Sequence, residues 1–188
     1  MKVWVLATVS IALAALAGGC LFGQNDYVEN AEFDLALSKR MPVGVPVRVG
    51  VFKNLSGSDR RFLIRRGDGQ VVPLEYQRWR LAPELLFQRC MYAAFNIAPD
   101  NDDSRVRLNA VIYRFEFDER EKQACLAVDF MLTNSYDADA ARPAAARAVR
   151  AEVAVPVKDS GDLGAARAAA MSECVRLAVE KLAKELAK

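Results

Sequence analysis

The chain has no histidine, only four cysteines and no marked excess of charge of either sign. The lack of histidine excludes His-based catalytic triads, histidine metal ligands and the commonest general base near neutral pH. The 26 Lys and Arg against 24 Asp and Glu give no basic excess that would favour nucleic acid. The sequence also lacks a GxxxxGK[ST] phosphate loop and a G-x-S-x-G nucleophile elbow. We therefore expect a protein that is not an enzyme.

The cysteines Cys20, Cys90, Cys125 and Cys174 are far apart and form no CxxC pair, so no zinc site is predicted. The last three lie at apolar positions of predicted helices and strands. One disulfide with one free thiol would suit an oxidising compartment, but buried free cysteine is the simpler interpretation. The acidic residues cluster at predicted turns and are interpreted as solvated charge. We expect neither a metal nor a cofactor.

The N-terminus has the three parts of a secretory signal. Lys2 precedes an apolar stretch over residues 3–17, and two glycines follow it. This stretch is shorter than the roughly 20 residues that span a bilayer. A cysteine follows the glycines directly, which is typical of a bacterial lipobox. In that site the thiol accepts a diacylglyceryl group, the chain is cleaved and the new amino terminus is acylated.

We therefore predict a lipoprotein signal peptide over residues 1–19, lipidation at Cys20, and a tether over residues 20–30. Several acyl chains, at about 0.8 kcal/mol per buried CH₂, make a stable membrane anchor. Ala17 stands where a typical lipobox has leucine, so an uncleaved anchor and a plain signal peptide stay open as alternatives. No aspartate follows Cys20, which favours the outer membrane over retention in the inner membrane.

Residues 31–188 are long enough for one domain with its own core. Apolar alternation predicts strands in AEFDLAL, VPVRVGVF, FLIRR, VVPLEYQRW, RVRLNAVIYRFEFD, CLAVDFML and VRAEVAVPV. The second strand should bury Val45, Val47, Val49 and Val51 on one face. The fifth changes parity partway, which indicates a bulge or a far half that faces a second surface. Residues 68–69, Asp-Gly, and residues 118–121 should form hairpin turns.

Helical periodicity predicts two main helices. The first covers residues 81–96, with Pro83 in its first turn and an apolar face of Ala82, Leu86, Cys90 and Ala93. The second covers residues 163–187, with Asp162 as its N-cap. Its apolar stripe consists of Met171, Cys174, Val175, Ala178, Leu182 and Leu186. The order of elements predicts an α+β domain with two helices packed on a mostly antiparallel sheet.

The segment YQRWRLAPELL connects a strand to the first helix. Tyrosine, tryptophan and arginine are the residue types favoured at binding hot spots, so we name Tyr76, Arg78, Trp79 and Arg80 as candidate partner contacts. The structural alternative is that Trp79 packs the helix onto the sheet. Aromatic residues Tyr113, Phe115 and Phe117 could line a lipid site, although burial under a helix explains them as well.

The chain resembles a known family in the order of its segments. These are a lipobox cysteine, the strand VPVRVGVF, the QRWRLAPELL corner, a strand that ends in RFEFD, a strand that contains CLAVDFML, and an Ala-rich closing helix. The family is the PqiC-like auxiliary lipoproteins of ABC-type intermembrane transport systems. The resemblance covers essentially the whole mature chain. By direct match it carries over the lipidation of Cys20, and it gives Trp79 a structural role.

The resemblance implies a periplasmic domain that works beside an MCE-domain protein, which passes lipids through a hydrophobic tunnel, and an ABC permease and ATPase. The lipoprotein would dock on or seal the outer end of this conduit, in one copy or as a homo-oligomeric ring. Two other functions remain open. One is a subunit or activator of another envelope assembly, such as a cell-wall synthase or an outer-membrane protein assembly complex. The other is a lipid-binding domain that acts alone.

Overall fold

The computed structural model describes residues 29–36, 40, 41, 43, 45–97, 106–134 and 147–188. The predicted signal peptide, Cys20 and most of the predicted tether lie outside these residues. The described elements, in chain order, are β1 (Ala31–Phe33), β2 (Val47–Asn54), β3 (Arg61–Arg65), β4 (Val71–Trp79), α1 (Pro83–Phe95), β5 (Val106–Asp118), β6 (Gln123–Asn134), β7 (Arg147–Pro156) and α2 (Leu163–Leu186). Neither helix in this part of the chain has the length and apolar character needed to cross a membrane.

The seven strands form one mixed sheet that is built around β5. Along one side β5 pairs antiparallel with β6, which pairs antiparallel with β7. Along its other side β5 pairs in parallel with β2 and then, at its end, with β3. The β3–β4 hairpin is antiparallel, and β1 joins β4 in parallel. Because α1 packs on β2 and α2 packs on β6 and β7, the predicted α+β fold is confirmed.

The predicted bulge in β5 is confirmed. Leu108, Ala110 and Ile112 are buried in the first half of the strand. The register with β6 shifts between Ile112 and Arg114, and from there the buried aromatic residues are Phe115 and Phe117. The extra residue keeps both halves of the strand facing the core, although the parity of the sequence changes.

The predicted apolar face of β2 is wrong at Val51. Val47 and Val49 are buried, but the register of β2 against β5 shifts between Val49 and Phe52. The shift places Phe52 in the core and leaves Val51 62% exposed. Burial of the larger phenylalanine removes more apolar area from water than burial of the valine would.

The apolar face of α1 is also displaced from the predicted one. Ala93 is exposed, as is Leu85, whereas the buried residues are Pro83, Leu86, Phe87, Cys90, Met91, Ala94 and Phe95. The bulky Phe87, Met91 and Phe95 take the core positions in place of small alanines. Pro83 takes the first helical position, as predicted, so the helix begins two residues later than residue 81, and Asn96 ends it with a left-handed backbone.

The predicted Asp162 N-cap and apolar stripe of α2 are confirmed, and so is the predicted Asp68-Gly69 turn between β3 and β4. The Asp162 carboxylate accepts a 2.9 Å hydrogen bond from the Ala165 amide at the start of α2. Every residue of the predicted apolar stripe of α2 is buried. In the hairpin, Gly69 has a φ of 86°, a conformation that glycine adopts without steric cost.

Candidate functional site

The corner between β4 and α1 is organised by Trp79, which is completely buried. Its ring centroid lies 4.4 Å from that of Phe62 and 5.1 Å from that of Phe115. The indole Nε1 is buried and has no hydrogen-bond partner among the described residues. Trp79 thus has the packing role considered for it, and its ring is not accessible to a partner at the surface.

Backbone hydrogen bonds fix the position of this corner. The Trp79 amide donates to the Arg60 carbonyl at 2.5 Å, and the Arg80 amide donates to the Phe33 carbonyl at 2.8 Å. The Arg60 guanidinium in turn donates to the Trp79 carbonyl at 3.1 Å. The chain is therefore held on both sides, by the start of β3 and by β1, as it leaves the sheet.

The other three predicted contact residues present their side chains at the surface. Tyr76 is 44% exposed, Arg80 is exposed and Arg78 is half-buried. Neither arginine forms an ion pair within the described part of the chain. We call Tyr76, Arg78 and Arg80 the corner surface. It offers one phenol and two guanidinium groups on a rigid support.

The pKa of Asp34, which follows β1, is affected by the positive charge of Arg80 at the corner. Burial by itself would raise the pKa of this carboxyl, but the hydrogen bond from Arg89, the Leu35 amide and the charges of Arg89 and Arg80 together lower it. Asp34 is therefore ionised at neutral pH and bound to Arg89. Arg89 is thus paired with Asp34, whereas Arg78 and Arg80 are the arginines of the corner surface that could bind an acidic group of a partner.

A second concave site, which the sequence did not reveal, lies where β3, β5 and β7 end and α2 begins. It is a cavity of about 280 Å³, and we call it the strand-end cavity. Four of its lining residues are apolar and five are charged, although most of the lining surface is apolar. The residues that line it are Ile64, Phe117, Asp118, Glu119, Lys122, Val157, Asp159, Leu163 and Arg167.

Arg167 is the half-buried cation of this cavity. Its guanidinium carbon lies 5.9 Å from the centroid of the Phe117 ring, in cation–π geometry. Its Nη1 donates to the Gln77 side-chain oxygen at 3.2 Å. Burial lowers the pKa of Arg167, and the nearby charge of Glu119 opposes that effect. Among the described residues Arg167 has no ion-pair partner.

Of the three aromatic residues considered for a lipid site, the structure brings only Phe117 to the cavity. Phe115 packs in the core against Trp79, and Tyr113 is 47% exposed at the bulge of β5. Leu163 and Arg167 are four residues apart, which places them on the same face of α2. This spacing alone does not predict a cavity, because nothing in the sequence links the pair to Ile64 or Phe117.

The three described cysteines are free and buried, as predicted. Burial raises the pKa of Cys90 and of Cys174 to about 12 in each case, and it raises that of Cys125 as well. These thiols are therefore protonated at neutral pH and poor nucleophiles. In the described ranges no group of three or more carboxylates and thiols is arranged to hold a metal ion.

Comparison with known proteins gives the fold but no named activity. No family model matches the chain, and no curated protein matches it. A crystal structure of an uncharacterized protein matches with a TM-score of 0.58 at 14% identity, over 84% of this chain and 99% of that one. Protein XCC0632 from Xanthomonas campestris, described as DUF330, matches with a TM-score of 0.62 at 17% identity, over 83% and 94% of the two chains. At these identities the likeness shows a shared fold.

Proposed function

We propose that this protein is an outer-membrane-anchored lipoprotein, an accessory of an ABC/MCE-type intermembrane lipid transport system. In this proposal Cys20 carries the lipid, and the folded domain faces the periplasm. The domain hydrolyses nothing. It docks on an MCE-domain protein and helps to seal the periplasmic conduit, while the permease and ATPase supply the energy. The PqiC-like resemblance of the sequence motivates this assignment, and the fold shared with a DUF330 protein is compatible with it.

The observation that carries the docking role is the corner surface. Arg78 and Arg80 have no ion pair within the described residues, and Tyr76 is exposed beside them. These side chains are mounted on a backbone that the buried Trp79 holds in place. A rigid support lowers the entropic cost of association, since less conformational freedom is lost when the partner binds. Arginine and tyrosine are also the residue types that contribute most at interfaces.

The partner can be identified by co-purification from its own host. A full-length copy with a C-terminal tag would be isolated from gently solubilised membranes, and the proteins bound to it quantified by mass spectrometry. We expect recovery of an MCE-domain protein together with its permease and ATPase. Recovery of a cell-wall synthase, of a barrel-assembly complex, or of no envelope protein would contradict the proposal.

A charge-reversal variant tests the surface itself. Replacing Arg78→Glu together with Arg80→Glu should lower recovery of the MCE-domain protein about tenfold, because a complementary charge becomes a repulsive one. The matched control is Lys181→Glu together with Lys184→Glu, which reverses two exposed charges on α2, away from the corner. Equal recovery with both variants would show that docking uses a different surface.

The anchor needs its own test, because Cys20 lies outside the described residues. Cells grown with a labelled palmitate analogue should label the wild-type chain and leave the Cys20→Ala variant unlabelled. The variant should also keep its signal peptide and migrate as the longer precursor, since in this pathway cleavage follows lipidation of the thiol. A labelled Cys20→Ala chain would refute lipidation at this residue.

A further inference from the structure

We infer that the strand-end cavity binds a single-chain amphiphile with an anionic head group, such as a fatty acid, with its carboxylate paired to Arg167. The apolar chain would cover Leu163, Val157 and the floor formed by Ile64 and Phe117. This site is separate from the corner surface. Its occupancy does not require the docking role proposed above.

The charge of Arg167 is the first reason. The structure places a half-buried guanidinium in the cavity with one hydrogen bond to Gln77 and the face of Phe117 as its described partners. A charge that is withdrawn from water is costly unless a counter-charge accompanies it. The planar fork of arginine matches a carboxylate or phosphate group in a bidentate arrangement. Glu119 acts on Arg167 through its charge but is exposed, and in the described part of the chain no carboxylate lies within ion-pair distance of this half-buried cation.

The walls of the cavity are the second reason. Ile64 and Phe117 are buried at its floor, Val157 is half-buried, and Leu163 is 48% exposed at its edge. When an apolar chain covers the exposed Leu163 at the edge of the cavity, apolar surface is removed from water and binding is stabilised. The volume of about 280 Å³ is just below the range of small-ligand pockets, about 300–1,000 Å³. This size suits one acyl chain and is too small for a diacyl lipid.

Backbone hydrogen bonds and the N-cap of α2 fix the segments that form the walls of the cavity. The Val157 amide donates to the Lys122 carbonyl at 2.8 Å, and the Glu119 amide donates to the Arg65 carbonyl at 2.9 Å. The Asp162 cap fixes the first turn of α2, which carries Leu163. Walls that are already in place cost little conformational entropy when a ligand enters.

Three carboxylates and two cations line the cavity, and the carboxylates are either balanced by other arginines or exposed to water. Asp118 Oδ2 lies 3.6 Å from Arg114 Nη2, and the charge of Arg65 also acts on it, so these two arginines balance Asp118 together with Glu116. Glu119 and Asp159 are exposed to water, which screens them, and the exposed Lys122 adds a second cation. Arg167 is less exposed, so its attraction for an anion is screened less.

Photo-crosslinking tests the site in the full chain, kept in native membranes. The probes are a medium-chain fatty acid that carries a diazirine and the corresponding uncharged alcohol. Mass spectrometry would measure labelling of the peptides that contain Ile64, Phe117 and Leu163, relative to the rest of the chain. We expect the acid to label these peptides about tenfold more than the alcohol, the effect of one hydrogen bond to a charged group.

Variants of Arg167 separate binding from structure. Arg167→Gln should lower labelling by the acid about tenfold and leave labelling by the alcohol unchanged, whereas Arg167→Lys should retain part of it. Lys181→Gln, on the exposed side of the same helix, is the matched control. Equal labelling by acid and alcohol in the wild-type chain would overturn the inference, even if Arg167→Gln failed to fold. So would labelling that is confined to other peptides. Neither result would bear on recovery of the MCE-domain partner.

Discussion

The ring of Phe33 occupies the space in which a side chain at residue 164 would stand. A Cβ placed on Gly164 would lie 2.5 Å from Phe33 Cζ, closer than any ordinary carbon contact. The ring also packs on Phe62, with their centroids 5.1 Å apart. Close approach between β1 and the first turn of α2 therefore depends on a residue without a side chain.

Gly164→Ala should consequently destabilise the fold by about 1 kcal/mol, although alanine is the better helix former. Urea unfolding would measure this effect. In a Phe33→Ala background the same substitution should become neutral or stabilising, because the clash is gone. Gly161→Ala, where no atom lies within 4 Å of the new Cβ, is the control. Equal effects of Gly164→Ala in both backgrounds would refute the contact.

Trp79 should contribute to stability, and Tyr76 should not. Trp79 is fully buried among aromatic rings, so Trp79→Ala should cost about 3–5 kcal/mol of unfolding free energy. Tyr76 is 44% exposed, and Tyr76→Ala should change stability by less than about 0.5 kcal/mol. Denaturant unfolding followed by far-UV circular dichroism compares the two. A large loss of stability on replacing Tyr76 would instead make it part of the core.

Among the charged residues that the structure describes, Glu116 should contribute most to stability. Its side chain is 5% exposed, and its Oε1 lies 2.7 Å from Arg65 Nε and 2.5 Å from Arg114 Nε. Glu116→Ala would leave two neighbouring guanidinium groups without their shared carboxylate, at a cost of about 2–3 kcal/mol. This value allows for the partial exposure of both arginines.

The exposed pair of Glu152 and Arg150, with N–O distance 2.7 Å, is the matched comparison for Glu116. Water screens such a pair, so Glu152→Ala should cost less than about 0.5 kcal/mol. Thermal unfolding of the two variants side by side checks the difference. Similar losses of stability would mean that burial does not strengthen the Glu116 interactions.

The cysteines should be unreactive in the native protein. Burial raises the pKa of Cys90 and Cys174 to about 12. At pH 8 their thiolate fraction is then on the order of 1 in 10⁴, and it grows as the pH rises towards the pKa. Ellman's reagent at pH 8 should modify neither residue, nor the buried Cys125, until the protein is unfolded.

Titration in guanidinium then counts the accessible thiols. Three are expected from the free cysteines of the folded domain. A fourth would mean that Cys20 is present and carries no lipid. Rapid modification of the native protein would show instead that at least one of the three is accessible, contrary to the structure.

Local features of this fold could be predicted because their causes are local. The Asp68-Gly69 turn needs a residue that tolerates positive φ, and Asp162 is placed to accept a hydrogen bond from the first turn of α2. The bulge of β5 was also visible, since the apolar parity of that strand changes within a few residues. Each of these signals lies within one element or its immediate flank.

The sequence by itself determined the α+β class, the α2 stripe, the bulge and the burial of the cysteines, because periodicity and local hydrogen bonding depend on neighbouring residues. The tertiary structure decided which residue of β2 enters the core, which face of α1 is buried and where a cavity forms. Phe52 replaces Val51 in the core through the register against β5. The strand-end cavity joins Ile64, Phe117 and Arg167, which are far apart along the chain. Pairing and packing between distant segments set these features, and no local pattern encodes them.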